Sequence, residues 1–266
     1  MYSFNYSKAK SVADASAVVA KDADAKLLAG GQSMVAAMKL RLAKPSQIVD
    51  LGTIAELRGI KVDASSVTLG AMARHAEVAA SAEVKKALPA LASLAGGIGD
   101  RMVRNMGTCG GSIANNDPAA DYPAACVGLG ATIVTNKGKH EADKFFKGMY
   151  ETALSAGEII TSVVFPIPKR ASYMKFKNPA SRYAIVGVFI ADFGNGNVRV
   201  AVTGAGPVVF RVPEMEKALA AKFAPESVAN IKVSDKDLNS DLHAKADYRA
   251  HLITVMAKRG VEAALK

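Results

Sequence analysis

Two short stretches of small residues constrain this chain more than anything else in it: Ala29-Gly30-Gly31-Gln32-Ser33 and Thr108-Cys109-Gly110-Gly111-Ser112. Each sets two glycines beside a serine, between an apolar strand or turn and a following helix. Glycine has no Cβ, so such a turn brings the backbone close to a ligand and aims successive N–H groups at it, as phosphate oxygens require. The hydroxyls of Ser33, Thr108 and Ser112 add donors. One such loop is common. Two suggest opposite walls around one pyrophosphate.

The pattern around the loops is mixed α and β. Lys26 to Ala29 and Gln47 to Leu51 are short apolar strands, Met34 to Leu42 is a helical turn or two, and Pro45 breaks that helix from the second strand. A second unit starts near Ser66, where Ser-Val-Thr-Leu-Gly is strand-like, and Glu77 to Ala87 and Pro89 to Leu94 are helical by composition. The densest turn signals follow, Gly96 to Gly99 and Gly107 to Ser112. An alanine-rich segment, Ala119 to Leu129, leads into the strand Ala131 to Thr135. Pro166 and Pro168 break both helix and central strand. That break divides the chain into residues 1–168, with lobes either side of residue 60, and residues 169–266. Beyond it, Ala184 to Ala191 and Val198 to Thr203 are strands joined by a hairpin turn over Asp192 to Asn197. Glu214 to Phe223 and Tyr248 to Ala264 are amphipathic helices, which makes the last third α+β.

Composition removes several classes. The 266 residues are enough to bury a core without staples, and a chain that is 50% hydrophobic and 22% charged is neither disordered nor collagen-like. Two cysteines, Cys109 and Cys126, cannot hold a four-cysteine zinc or iron–sulfur site and give no disulfide framework, which points to a reducing compartment. Met1 to Lys8 lack an apolar h-region, and no stretch approaches the ~18 apolar residues a bilayer span needs, so the expected location is the cytoplasm. The net charge is +10. Its lysines are scattered among acids and no Trp is present to stack bases, so the surplus reads as a solvated or partner-facing surface and not as a nucleic-acid site.

Familiar catalytic motifs fail in turn. Gly128-Leu129-Gly130 lacks the third glycine of a dinucleotide fingerprint, carrying Ile133 there, and runs into a strand; Gly204-Ala205-Gly206 fails in the same way. There is no P-loop and no Gly-x-Ser-x-Gly elbow. His75, His140, His243 and His251 show no metal-ligand spacing and read as surface or helix-cap residues. Asp117 and Asp121, four apart, are either an acid/base pair or, with Pro118 between them, a helix start capped by Asp117. By themselves Ile98 and Ile160 read as core, and Lys175 as an outward residue on a strand shared with Tyr173 and Lys177.

Three ordered motifs go further: Leu28 to Met34 with Met38-Lys39-Leu40-Arg41-Leu42 and Val49-Asp50-Leu51, then Arg104 to Ala114, then Asp117-Pro118-Ala119-Ala120-Asp121. Together they resemble the FAD-binding medium subunit of the molybdenum hydroxylases, the family of carbon monoxide dehydrogenase, bacterial xanthine dehydrogenase and related aldehyde or N-heterocycle dehydrogenases. The resemblance runs from about Tyr6 to the end of the chain. It implies a two-lobed α/β FAD-binding domain of the PCMH type, like that of vanillyl-alcohol oxidase, followed by an α+β domain with a small antiparallel sheet.

The resemblance also implies a site. Ala29, Gly30, Gly31, Gln32 and Ser33, with Thr108, Cys109, Gly110, Gly111 and Ser112, would wrap the FAD pyrophosphate through backbone N–H groups. Asp121 would reach the adenosine side, and Ile98 and Ile160 would pack on the flavin or adenine. Lys175, or Lys177 after a short gap, would stand beside the flavin and favour its reduced form. Cys109 stands where relatives carry an aliphatic residue, either as a small apolar substitute or in a redox role. No catalytic or metal-ligating residue is expected. A large molybdenum-cofactor subunit and a small 2Fe–2S subunit would be separate chains, assembled as a dimer of heterotrimers, and this chain would pass their electrons through FAD to a final acceptor. The alternatives are a self-contained FAD oxidase or reductase on the same fold, or a basic nucleic-acid-binding or adaptor protein.

Overall fold

A computed structural model describes residues 1–266. Three larger sheets follow one another along the chain, with one two-stranded ribbon besides. The first comprises β1 (Asn5–Lys8), α1 (Val12–Lys21), β2 (Lys26–Leu28), α2 (Met34–Lys39) and β3 (Gln47–Asp50), with β3 central and parallel to both neighbours. Parallel pairing needs crossovers, which α1 and α2 supply. Helix α1, absent from the sequence reading, starts where the Ser11 hydroxyl accepts the Asp14 N–H at 3.1 Å, and it buries Val12 and Ala15.

The second unit opens with β4 (Ile60–Val62) and β5 (Ser66–Gly70) and continues through six short helices: α3 (His75–Ala80), α4 (Ala82–Ala87), α5 (Pro89–Gly96), α6 (Arg101–Met106), α7 (Cys109–Asn115) and α8 (Tyr122–Leu129). Then come β6 (Thr132–Thr135), β7 (Gly138–Glu141), the short helix α9 (Ala142–Phe145), the ribbon of β8 (Phe146–Gly148) and β9 (Glu151–Thr152), and β10 (Ile160–Pro166). The sheet order is β4-β5-β10-β6-β7, antiparallel throughout.

Several expectations are corrected here. The helix expected over Glu77 to Ala87 is two, because Ser81 ends α3 and its hydroxyl caps α4 by accepting the Val84 N–H. Gly107 to Ser112 is not a turn throughout: Thr108 caps α7, so the glycine pair lies in that helix's first turn. Asp117 caps no helix. Its carboxylate accepts the Ala119 N–H at 2.9 Å in a tight turn, and α8 begins only at Tyr122, with Pro123 in its first turn.

The third unit is an antiparallel sheet in sequential order, β11 (Arg170–Lys177), β12 (Ala184–Asp192), β13 (Val198–Thr203) and β14 (Phe210–Arg211), followed by α10 (Pro213–Ala221) and α11 (Ala246–Ala264). Every residue of β12 is buried. Alternation explains this: Phe189 and Ala191 join the core around α8, while Val186, Val188 and Ile190 face the core built with α11. Helix α8 is buried on all sides, as a helix apolar all round should be. A Cβ on Gly128 would lie 2.9 Å from the Phe189 ring, so the glycine lets α8 approach the third sheet. The Thr203 hydroxyl donates to the Ala120 carbonyl at 2.6 Å, and the Gly204 N–H to that of Pro118 at 2.8 Å.

Candidate functional site

The two glycine loops meet backbone to backbone. Strand β2 delivers Ala29 to Ser33 at its end, and Gly31 turns the chain with φ +73°, where other residues are strained. A Cβ on Gly30 would fall 1.9 Å from the Met106 carbonyl oxygen and 2.9 Å from the Gly107 Cα; one on Gly111 would lie 3.5 Å from the Ala29 Cβ. Only glycine permits this approach at Gly30.

The loops use their amides differently. The N–H groups of Gly30, Gly31, Gln32 and Ser33 find no acceptor within the chain. In the second loop, Cys109 donates to the Ala73 carbonyl (2.9 Å), Gly110 to that of Ala71 (2.8 Å), Gly111 to the Thr108 hydroxyl (3.1 Å) and Ser112 to the Thr108 carbonyl (3.0 Å). Only the Thr108 N–H is left over. The first loop is thus a row of free donors, and the second is a rigid wall clamped onto the segment between β5 and α3. Gly110 is part of that clamp, since its Cβ would lie 2.6 Å from the Ala71 Cβ.

Asp121 and Lys175 form a buried pair. One Asp121 oxygen accepts from Lys175 Nζ at 2.9 Å and the other from the Tyr173 hydroxyl at 2.5 Å; Lys175 also reaches the Gly97 carbonyl at 3.2 Å. Burial pushes the Asp121 carboxyl above its usual range, against the opposing pull of the Lys175 cation and the two hydrogen bonds. The outward reading of Lys175 is therefore corrected. Lys177 is exposed, because the register slips between Phe176 and Lys177 and takes it out of line with Tyr173 and Lys175. Ile98, half-buried between Gly97 and Gly99, is held by Arg104, whose Nη1 donates to the carbonyls of Ile98 (2.9 Å) and Gly99 (3.0 Å). Ile160 is buried in the main core at the start of β10. The next residue, Thr161, accepts the Ala71 N–H, which ties Ile160 to the segment behind Gly110.

His75, read from sequence as a surface or cap residue, is instead buried. Its N–H donates to the Gly107 carbonyl at 3.0 Å, its ring lies 5.4 Å from that of Tyr122, and a Cβ on Gly107 would fall 2.7 Å from Nε2. Its Nδ1 and the Tyr122 hydroxyl have no hydrogen-bond partner. Burial, helped by the nearby Arg104 cation, lowers the imidazole pKa to about 4 and keeps the ring neutral. Cys109 is buried and its thiol pushed up by desolvation, so it stays protonated and packs as a small apolar side chain. The sequence offers neither Tyr173 nor His75 as a site residue. Tyr173 had a signal: it shares a strand face with Lys175 two residues on.

Free consecutive amides beside a glycine-floored wall are the kind of donor set that an extended diphosphate-bearing cofactor requires. Sequence comparison gives that class its family. The profile described as the FAD binding domain in molybdopterin dehydrogenase matches residues 2–168, and that of the CO dehydrogenase flavoprotein C-terminal domain matches residues 171–264. The chain is 35% identical to the nicotine 6-hydroxylase medium subunit of Paenarthrobacter nicotinovorans, over 96% of this chain and 95% of that one. It is likewise 35% identical to the carbon monoxide dehydrogenase medium chain of Hydrogenophaga pseudoflava, over 98% and 96%. Among solved structures, reconstituted CO dehydrogenase from Oligotropha carboxidovorans superimposes with a TM-score of 0.88 at 32% identity, covering 99% of this chain and 98% of that one. Quinoline 2-oxidoreductase from Pseudomonas putida 86 does so with 0.89 at 29%, covering 99% and 97%. The chain belongs to the FAD-binding medium subunits of the molybdenum hydroxylases.

Proposed function

We propose that this protein is the FAD-carrying electron-transfer subunit of a molybdenum-dependent hydroxylase or dehydrogenase. Its partners are a large subunit with the molybdenum cofactor and a small subunit with 2Fe–2S clusters, and the complex works in the cytoplasm as a dimer of heterotrimers. The observation that carries this reading is the row of free N–H groups from Gly30 to Ser33, laid against the backbone of Met106 and Gly107. Four amide donors at the start of a helix suit the two negative charges of a pyrophosphate.

When bound, FAD supplies the chemistry: it accepts electrons singly from iron–sulfur centres and releases them in pairs to a terminal acceptor. The chain's own residues bind and orient. Ala29 to Ser33 hold the pyrophosphate through their amides, and Thr108 to Ser112 form the opposite wall through the Thr108 N–H and the Ser112 hydroxyl. Ile98 and Ile160 offer apolar contact. Asp121 and Lys175 set the charge beside the cofactor, with Tyr173 fixing the carboxylate. The division into residues 1–168 and 169–266 belongs to the same reading, with the loops on the first part and Lys175 on the second.

The test is direct. The purified protein should be yellow, and acid should release FAD and not FMN. A colourless protein that cannot be reconstituted with FAD would contradict the proposal.

A further inference from the structure

Helix α2 begins straight after the first glycine loop and ends in an unusual way. The Leu42 N–H bonds to the Ala37 carbonyl at 2.8 Å and the Arg41 N–H to that of Met38 at 3.1 Å, the paired bonds of a Schellman motif. The left-handed position of that motif normally takes glycine. Here it holds Arg41, with φ 59°. The residue after it usually folds back to cover the helix end, yet Leu42 is 79% exposed and Leu40 71%. The chain thus holds an arginine in a disfavoured conformation while two leucines stand in water. Tyr2 lies alongside, its ring centre 5.8 Å from the Arg41 guanidinium and 5.5 Å from the Lys44 ammonium. Lys39, Arg41 and Lys44 rim the patch, and none of them is ion-paired.

We infer that this patch is the seat of the small iron–sulfur subunit, which meets it with an apolar centre inside an acidic rim. The inference rests on the electron-transfer reading above. An exposed apolar centre with an unpaired basic border marks a protein interface and asks for opposite charge across it. Position selects between the two partners. The six residues of α2, at about 1.5 Å each, put Leu40 roughly 10 Å from the loop that holds the pyrophosphate. An electron donor must bring its cluster close to the flavin; the molybdenum subunit, which delivers electrons through that donor, need not.

The test uses the whole complex, purified through a tag on this chain, with non-haem iron per FAD as the readout. The Leu40→Asp/Leu42→Asp variant should keep its FAD and melting temperature and lose at least tenfold in iron per FAD. The Lys39→Glu/Lys44→Glu variant should lose iron likewise, and it decides alone if the leucine variant fails to fold. Wild-type iron per FAD in any variant that keeps its flavin overturns the proposal, as does loss of the large subunit with iron retained. Loss of FAD from both variants overturns it too, since the patch would then belong to the fold. A wild-type preparation that holds FAD but never iron strikes the electron-transfer reading itself, a different failure.

Discussion

Gly30→Ala isolates the contact between the two loops. The added methyl would sit 1.9 Å from the Met106 carbonyl oxygen, and Cβ atoms essentially never come within 3.0 Å of another group, so one loop must move by about 1 Å. The obstacle is backbone and has nowhere soft to go: Gly107 is tied by its own N–H to the Val103 carbonyl and by its carbonyl to the His75 N–H. Overpacking of this kind costs about 1–3 kcal/mol. For a chain of this length that lowers Tm by roughly 2–4 °C per kcal/mol, about 2–12 °C in all. With the proposed pyrophosphate contact in place, a shift of about 1 Å also takes at least one loop amide out of line with the phosphate. A hydrogen bond to a charged group is worth about 1.5–3 kcal/mol, so FAD should bind roughly 10- to 100-fold more weakly. FAD per chain after gel filtration and calorimetric Tm of the stripped protein measure both effects. Gly96→Ala is the control, because its methyl would meet only the Ala79 Cβ at 3.7 Å; it should leave both unchanged or raise Tm slightly. Wild-type FAD affinity and Tm in Gly30→Ala would refute the claim that the loops are packed to the limit.

The buried pair gives a second expectation. Lys175→Met leaves the Asp121 carboxylate without its cation and should cost about 3–5 kcal/mol in urea unfolding, and adding Asp121→Leu should recover much of that; equal stability of the single variant and wild type counts against a functioning ion pair. The third concerns His75. Its pKa lies near 4 in the fold against 6.5 for the free side chain, so the fold resists protonation; stability is full above pH 6.5 and declines as pH falls toward 4. One group shifted this far contributes about 2–3 kcal/mol of loss between pH 6.5 and 4.5. His75→Gln should flatten that part of the stability profile, and an unchanged slope would mean that the imidazole charges freely in the native protein.

Much of this was legible in the chain itself, for physical reasons. The glycine loops, the strands flanking them and the hairpin at Asp192 to Asn197 are local features, set by residues that touch their near neighbours. What escaped depends on distant partners. Lys175 alternates like a solvated strand residue, and only the arrival of Asp121, just ahead of α8, turns it inward. His75 is buried because the second loop folds over it. Strand β10, unnoticed in the sequence, exists through pairing with β5 and β6, residues far off along the chain. The loops were legible as a pair, but not the division of labour between them. Which amides stay free depends on where the carbonyls of Ala71 and Ala73 come to lie.

Helix α8 has a mechanical consequence. It is enclosed on every side, with Phe189 of the third sheet pressed against Gly128 and the carbonyls just ahead of it bonded to Thr203 and Gly204. A helix shared in this way works like a dowel between two boards. The residues before and after the paired prolines, proposed above as two domains, cannot swing about that point without pulling α8 out of its socket. A protein that relays electrons needs fixed spacings more than it needs hinges, because transfer rates fall steeply with distance. On this frame the spacing between the first loop and Lys175 is held by the dowel, and freedom to move is left to the surface loops.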